Sequence, residues 1–218
     1  EEKVDTFFES GYNVINWHVL PESGEALWYS QRDDWGHLYL YDGRTGELVN
    51  QITSGDWLVR DILRVDEDAR RVYFTACGRE AGRDPCYRHL YGVNLDGSDL
   101  TLLTPEDADH EVPIPPASDI VALAQTALMG GTPSVAGFSP SGRYFVDTWS
   151  RLDAAPVSLL RSADGALVWF VRSSSGDDPV NRLWIVDAAT GDESPRRAVI
   201  SADGSRDQRM RRWQPFAG

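Results

Sequence analysis

His37-Leu38-Tyr39-Leu40-Tyr41-Asp42-Gly43-Arg44-Thr45-Gly46-Glu47 returns as His89-Leu90-Tyr91-Gly92-Val93-Asn94-Leu95-Asp96-Gly97-Ser98-Asp99, and again as Arg182-Leu183-Trp184-Ile185-Val186-Asp187-Ala188-Ala189-Thr190-Gly191-Asp192. Large apolar residues alternate in each copy, which turns one side of a strand inward. An Asp then takes backbone amides two residues on and starts a turn, and a Gly supplies the positive φ of a short hairpin. A returning strand follows, Leu48-Val49-Asn50-Gln51-Ile52 in the first copy and Leu100-Thr101-Leu102-Leu103 in the second.

A second unit lies upstream of the first. It spans Trp17 to Ser30, recurs from Ile62 to Thr75, and recurs again from Phe138 to Asp147, each time as strand, polar turn and strand. The two units together give four strands in roughly 45 residues, the period of a propeller blade. The predicted fold class is therefore all-β: a partial β-propeller of about four blades, each a four-stranded antiparallel sheet, occupying residues 1–193. Blades are expected near 14–57, 58–104 and 110–170, with a partial fourth at 166–193.

Two stretches break the pattern. An insert between Val112 and Val135 opens with Pro113-Ile114-Pro115-Pro116 and closes with Gly130-Gly131-Thr132-Pro133. Its middle, from Ala117 to Met129, is rich in helix formers, and Ser118 is a candidate cap, so one helix is expected near 117–129. That helix serves as a lid or contact element, or the insert is simply a tolerated loop. Residues 194–218 carry Arg196, Arg197, Arg206, Arg209, Arg211 and Arg212 without clear alternation and are expected to be a poorly ordered tail, with a partner-binding arm as the alternative.

Composition narrows the function classes. A chain of 218 residues can bury a real core. Its formal net charge of −13, with no basic stripe in the body of the chain, argues against nucleic-acid binding. The acidity serves solubility, or draws in cationic ligands such as peptide N-termini. No stretch is long and apolar enough for a membrane span. The charged start Glu1-Glu2-Lys3-Val4-Asp5 lacks the pattern of a signal peptide. Only two cysteines occur, Cys77 and Cys86, bracketing a loop of turn formers between two strand-like runs. Such a pair is a possible disulfide in an oxidising compartment and two free thiols otherwise. A periplasmic or extracellular setting is favoured over the cytoplasm. No second pair of ligands stands nearby, so zinc is not expected.

The chain offers little catalytic chemistry. No Gly-x-Ser-x-Gly elbow exists; the nearest string is Gly137-Phe138-Ser139-Pro140-Ser141-Gly142. There the residue after the serine is Pro140, which has no N–H to give an oxyanion. His37 and His89 occupy equivalent places in two copies of one unit, which points to a structural hydrogen bond; His18 and His110 carry no further signature. Asp33-Asp34, Asp66-Glu67-Asp68 and Asp177-Asp178 fall at turns and do not complete a calcium loop. Paired carboxylates for glycoside hydrolysis are not singled out, and no Gly-rich phosphate loop appears. No catalytic, cofactor-binding or metal residue is assigned.

The wording of the repeats resembles the propeller of bacterial dipeptidyl-peptidase-IV-like proteins of the prolyl oligopeptidase clan. The resemblance runs over about residues 10–165. It is carried by Leu27 to Asp42, Thr53-Ser54-Gly55-Asp56-Trp57, Val72 to Ala76, Leu103 to Val112, and Phe138 to Arg151. It implies the last propeller blades before an α/β-hydrolase domain that carries a Ser-Asp-His triad and removes N-terminal dipeptides. The propeller gates entry and supplies an acidic pair for the substrate amine. Three departures stand out. The hydrolase domain is missing. The acidic pair has no counterpart, since Glu1-Glu2 lacks its surroundings. The stretch from Val168 to Asp187 resembles an early blade yet follows the late ones, and the insert at 112–135 departs as well.

Three readings follow: a non-catalytic propeller that binds, gates or assembles; a part of an active serine dipeptidyl aminopeptidase; or an unrelated hydrolase or lyase using carboxylates in a propeller channel. Expected partners are a peptide, a hydrolase domain, or a second copy through exposed strand edges, with no nucleic acid, membrane or cofactor.

Overall fold

The computed structural model describes residues 17–112, 137–139, 141–173, 183–187 and 193–194. Among them every strand pairing is antiparallel and no helix is found. The helix expected near 117–129 and the tail from 195 onward lie outside the described residues.

The first sheet contains β1 (Trp17–Leu20), β2 (Glu25–Ser30), β3 (His37–Asp42) and β4 (Leu48–Gln51), in that order. The second contains β5 (Leu58–Asp66), β6 (Arg71–Cys77), β7 (Arg88–Asn94) and β8 (Thr101–Leu102) in the same meander. Both fall within the blades expected from the repeat. The third sheet begins with β9 (Asp109–Glu111), β10 (Tyr144–Arg151), β11 (Ala154–Ser162) and β12 (Leu167–Ser173). It continues into β13 (Leu183–Asp187) and β14 (Glu193–Ser194), making six strands. The third and fourth units predicted from sequence overlap at 166–170, and β12 is the reason. It hydrogen-bonds to β11 on one side and β13 on the other, so the partial fourth unit adds to the third sheet rather than opening its own.

Alternation divides the side chains of the middle sheet between two cores. Val72, Phe74, Tyr91 and Val93 face the first sheet, where they pack with Leu27, Leu38 and Leu40. Tyr73, between Val72 and Phe74, and Leu90, just before Tyr91, face the third sheet and pack with Val112, Phe138 and Phe145. A strand that must bury both sides in this way reads as a nearly continuous apolar run, as Val72-Tyr73-Phe74-Thr75-Ala76 does. The blades are thus stacked face to face.

The Asp-Gly turns interlock the stack. At Gly97, φ is +88°, and an added Cβ would lie 3.2 Å from the Ile52 carbonyl of the first sheet's return segment. At Gly165, in the matching turn of the third sheet, φ is also +88°, and a Cβ would lie 2.8 Å from the Leu103 carbonyl. Each turn therefore abuts the preceding module so closely that only glycine fits.

Candidate functional site

His37 opens β3, His89 is the second residue of β7, and both are buried. Next to each, a threonine hydroxyl accepts the following amide: Leu38 N–H to Thr53 Oγ1 at 3.0 Å, and Leu90 N–H to Thr104 Oγ1 at 2.9 Å. His37 Nε2–H donates to the Gly55 carbonyl at 2.9 Å, which leaves Nδ1 to accept the Thr53 hydroxyl proton at 3.1 Å. His89 uses the other nitrogen, Nδ1–H to the Thr104 carbonyl at 3.1 Å. Burial lowers the pKa of both, with the neighbouring His110 a further depressing influence on His89. Recurrence of the histidine thus reflects a repeated strand-end clamp, as the sequence suggests.

The ring against each clamp differs. Trp57 meets His37 edge-on at a centroid distance of 5.0 Å, whereas His89 meets His110 at 5.1 Å. Replacing an indole by an imidazole at this junction brings a polar cluster with it. His110, on β9, and Asp147, on β10, are fully buried. His110 Nδ1 lies 2.9 Å from Asp147 Oδ1 and 3.1 Å from Oδ2. Arg161, on β11, is 3% exposed and donates Nε–H to Asp147 Oδ2 at 3.1 Å. Its terminal nitrogens reach the Glu106 carboxylate and, at 3.1 Å, the Gly165 carbonyl. Glu106 precedes β9, so the segment between β8 and the third sheet is tied to three successive strands.

A histidine hydrogen-bonded to a buried aspartate is half of a catalytic triad, and the disposition of its second nitrogen decides its role. His110 Nε2 points at the Glu106 backbone carbonyl at 3.1 Å. That oxygen can only accept, so Nε2 must donate and is not available as a base for a hydroxyl. The Arg161 guanidinium meanwhile joins the Asp147 and Glu106 carboxylates, so these charges are paired as burial demands.

Glu106, His110 and Asp147 each bring a potential ligand atom within 4.8 Å of the others. The donor set does not fit a metal, because the Arg161 guanidinium already bridges the two carboxylates. A divalent ion would have to displace that guanidinium or sit against its charge. Two buried acceptors at this junction, His89 Nε2 and Glu106 Oε2, have no partner among the described residues. A bidentate pair flanks the cluster: Arg88 Nε and one terminal nitrogen bond Asp109 at 3.0 and 2.7 Å. Burial pushes the Asp109 pKa up, yet the Arg88 hydrogen bonds outweigh it and hold the carboxyl below its usual range.

The other residues singled out from sequence are not drawn into this cluster. The Gly137–Gly142 string is the hairpin turn before β10: Ser139 N–H donates to the Tyr144 carbonyl at 2.8 Å, and Gly142 N–H to the Ser139 carbonyl at 2.8 Å. Pro140 lies outside the described residues. Asp33 accepts the Tyr39 hydroxyl at 2.7 Å and Gln51 Nε2 at 2.9 Å, and Asp66 caps the Ala69 amide at 2.9 Å. Asp177 and Asp178 lie outside the described residues, and His18 is exposed on β1. Cys77 and Cys86 stand at the neck of one loop as free thiols, with Cys77 Sγ 3.7 Å from the Cys86 carbonyl oxygen.

Sequence reasoning missed the partnership of Glu106, His110, Asp147 and Arg161. One signal was present: Asp147 falls on the inward side of Phe145-Val146-Asp147, where an apolar residue is expected, and Arg161 follows Leu159-Leu160. Opposite charges at inward positions of neighbouring strands mark an internal ion pair.

Comparison with known proteins gives a consistent picture. Residues 1–156 match the family model described as the dipeptidyl peptidase IV (DPP IV) N-terminal region. A dipeptidyl peptidase 4 of Arthroderma otae is 35% identical over 74 residues, which is 34% of this chain and 9% of that protein. One from Trichophyton equinum is 34% identical over the same length, again 34% of this chain and 9% of the relative. A solved dipeptidyl aminopeptidase IV-like protein from Bacteroides ovatus is 20% identical, with a TM-score of 0.43, over 74% of this chain and 24% of its own. The matched stretch is thus a small fraction of each relative.

Proposed function

We propose, from the premise that this chain belongs to the dipeptidyl peptidase IV N-terminal region family, that it is the non-catalytic β-propeller region of a dipeptidyl-peptidase-IV-like serine peptidase. Its work is binding or gating of peptide substrate, or assembly, rather than bond cleavage. One observation carries this reading. His110 has a buried aspartate on one nitrogen but spends the other on a backbone carbonyl. It is built into a blade junction and has no free nitrogen for a nucleophile. Antiparallel meanders also lack the strand-to-helix bend that presents a nucleophilic serine in hydrolases.

The purified chain is expected not to cleave Gly-Pro or Ala-Pro chromogenic dipeptides. Turnover that survives stringent purification, and that follows the chain through an added affinity step, would overturn the proposal.

The second reading is a region of an active dipeptidyl aminopeptidase whose α/β-hydrolase domain is a separate stretch of polypeptide. The small share of each relative that is matched favours keeping it. On this reading, supplying a hydrolase domain of the family restores dipeptide release that neither part shows alone.

A further inference from the structure

We propose that Cys77 and Cys86 form a thiol–disulfide pair that locks the loop between β6 and β7 onto the junction of the second and third sheets. Cys77 is the last residue of β6 and pairs in register with Arg88. The loop folds back so that Cys86 returns to the same neck. Arg83 N–H bonds the Glu80 carbonyl at 3.3 Å, Tyr87 N–H bonds the Asp84 carbonyl at 3.1 Å, and Asp84 Oδ1 caps the Cys86 amide at 2.8 Å. Cys77 Sγ touches the Cys86 carbonyl oxygen at 3.7 Å. A carbonyl oxygen sits about 2.4 Å from its own Cα, so this sulfur is within about 6 Å of the Cys86 Cα. That figure is an upper bound, and rotation of both cysteine side chains about χ1 brings the sulfurs together.

The loop's other residues show what a crosslink would fix. Glu80 accepts the Tyr91 hydroxyl at 2.9 Å, and the Arg79 guanidinium lies over the Tyr91 ring at 5.3 Å. Arg83 reaches the carbonyls of Pro105 and Glu106 at 2.8 and 3.3 Å. The Glu106 carbonyl is the one that His110 also holds. The neck that the two thiols close therefore anchors a clamp on the buried cluster. In the first sheet, the shorter connection between β2 and β3 caps Tyr39 with Asp33 and contains no cysteine. The crosslink belongs to the longer loop alone.

Exposure sets the order of steps. Cys86 is exposed and attacks a small disulfide oxidant, such as oxidised glutathione, giving a mixed disulfide and one released thiol. Cys77, whose thiol burial pushes up to about 11, then displaces the second glutathione and loses its proton as the S–S bond forms. The protein gives up two protons and two electrons, and the oxidant becomes two thiols.

The test uses the full chain in reduced and in oxidised glutathione. Oxidation is expected to abolish both titratable thiols while the covalent mass stays that of one chain. A non-reducing peptide map should join the segments that carry Cys77 and Cys86. Tm should rise by about 5 °C, and amides over 106–110 should exchange about tenfold more slowly than in the reduced chain. C77S should stop at a glutathione adduct on Cys86, and C86S should leave Cys77 unreacted. The double serine variant should lose the redox dependence of Tm. Two thiols still titratable in the folded, oxidised chain, or crosslinks only between chains, would overturn the pairing. Unchanged exchange over 106–110 in the crosslinked chain would overturn the lock.

Discussion

Asp147 is fully buried and accepts from His110 and Arg161 at once, so its removal strands two donors that have no water to turn to. The cost of such a loss is dominated by the charge left behind and is about 3–5 kcal/mol. Asp147→Ala is expected to lower the urea midpoint accordingly, with unchanged expression of the β-sheet signal at low denaturant. Asp153 pairs with Arg151 at the surface, where water replaces a lost partner, so Asp153→Ala should leave the midpoint unmoved. Equal, small effects of the two substitutions would mean that the cluster contributes no more than a surface pair. The Gly165 carbonyl accepts from the same Arg161, which links this residue-level argument to the turn that bears it.

At the level of elements, the hairpin turns do more than reverse the chain. The turn between β11 and β12 brings Gly165 against the Leu103 backbone, where an added Cβ would sit 2.8 Å from the carbonyl oxygen and 2.9 Å from Cα. Neither atom can rotate away, so Gly165→Val must separate the third sheet from the second as well as strain φ. A loss of about 2–4 kcal/mol is expected, measured by denaturant unfolding. Gly46 supplies the contrast: its φ is +73°, yet nothing lies within 4 Å of an added Cβ. Gly46→Ala should therefore cost only the backbone strain, about 1 kcal/mol. If both substitutions cost the same, the turn does not act as a wedge between blades. At Gly97 and Gly165 the Asp-Gly pair meets two demands at once: a tight hairpin and a close neighbour in the preceding module.

At the scale of the whole molecule, the described residues leave the outer face of the first sheet without a neighbouring sheet. The middle sheet buries both sides, but the first sheet has a successor and, among the described residues, no predecessor. Trp17 and Val19 project from one side of β1 and remain 47% and 61% exposed, and Leu48 and Val49 on the edge strand β4 are similarly exposed. An edge of unpaired amides beside exposed apolar residues invites a second strand. We propose that the isolated chain self-associates through this first sheet with a second copy of itself. Light scattering should give a mass above the monomer, and Val49→Lys, which places a charge on the open edge, should shift it toward the monomer. A strictly monomeric species at high protein concentration would count against the proposal, as would a mass indifferent to Val49→Lys.

Local sequence by itself determined the strands, their turns and their antiparallel order, because alternation and Asp-Gly chemistry act over a few residues and repeat down the chain. The same recurrence marked His37 and His89 as structural before any partner was known. Tertiary structure decided the rest. Glu106 and His110, Asp147, and Arg161 come from three separate places in the chain, and only the pairing of β9, β10 and β11 brings them within hydrogen-bonding distance. Likewise, no local pattern says whether a strand such as β12 ends one sheet or continues it, since that choice depends on which neighbour meets its free edge.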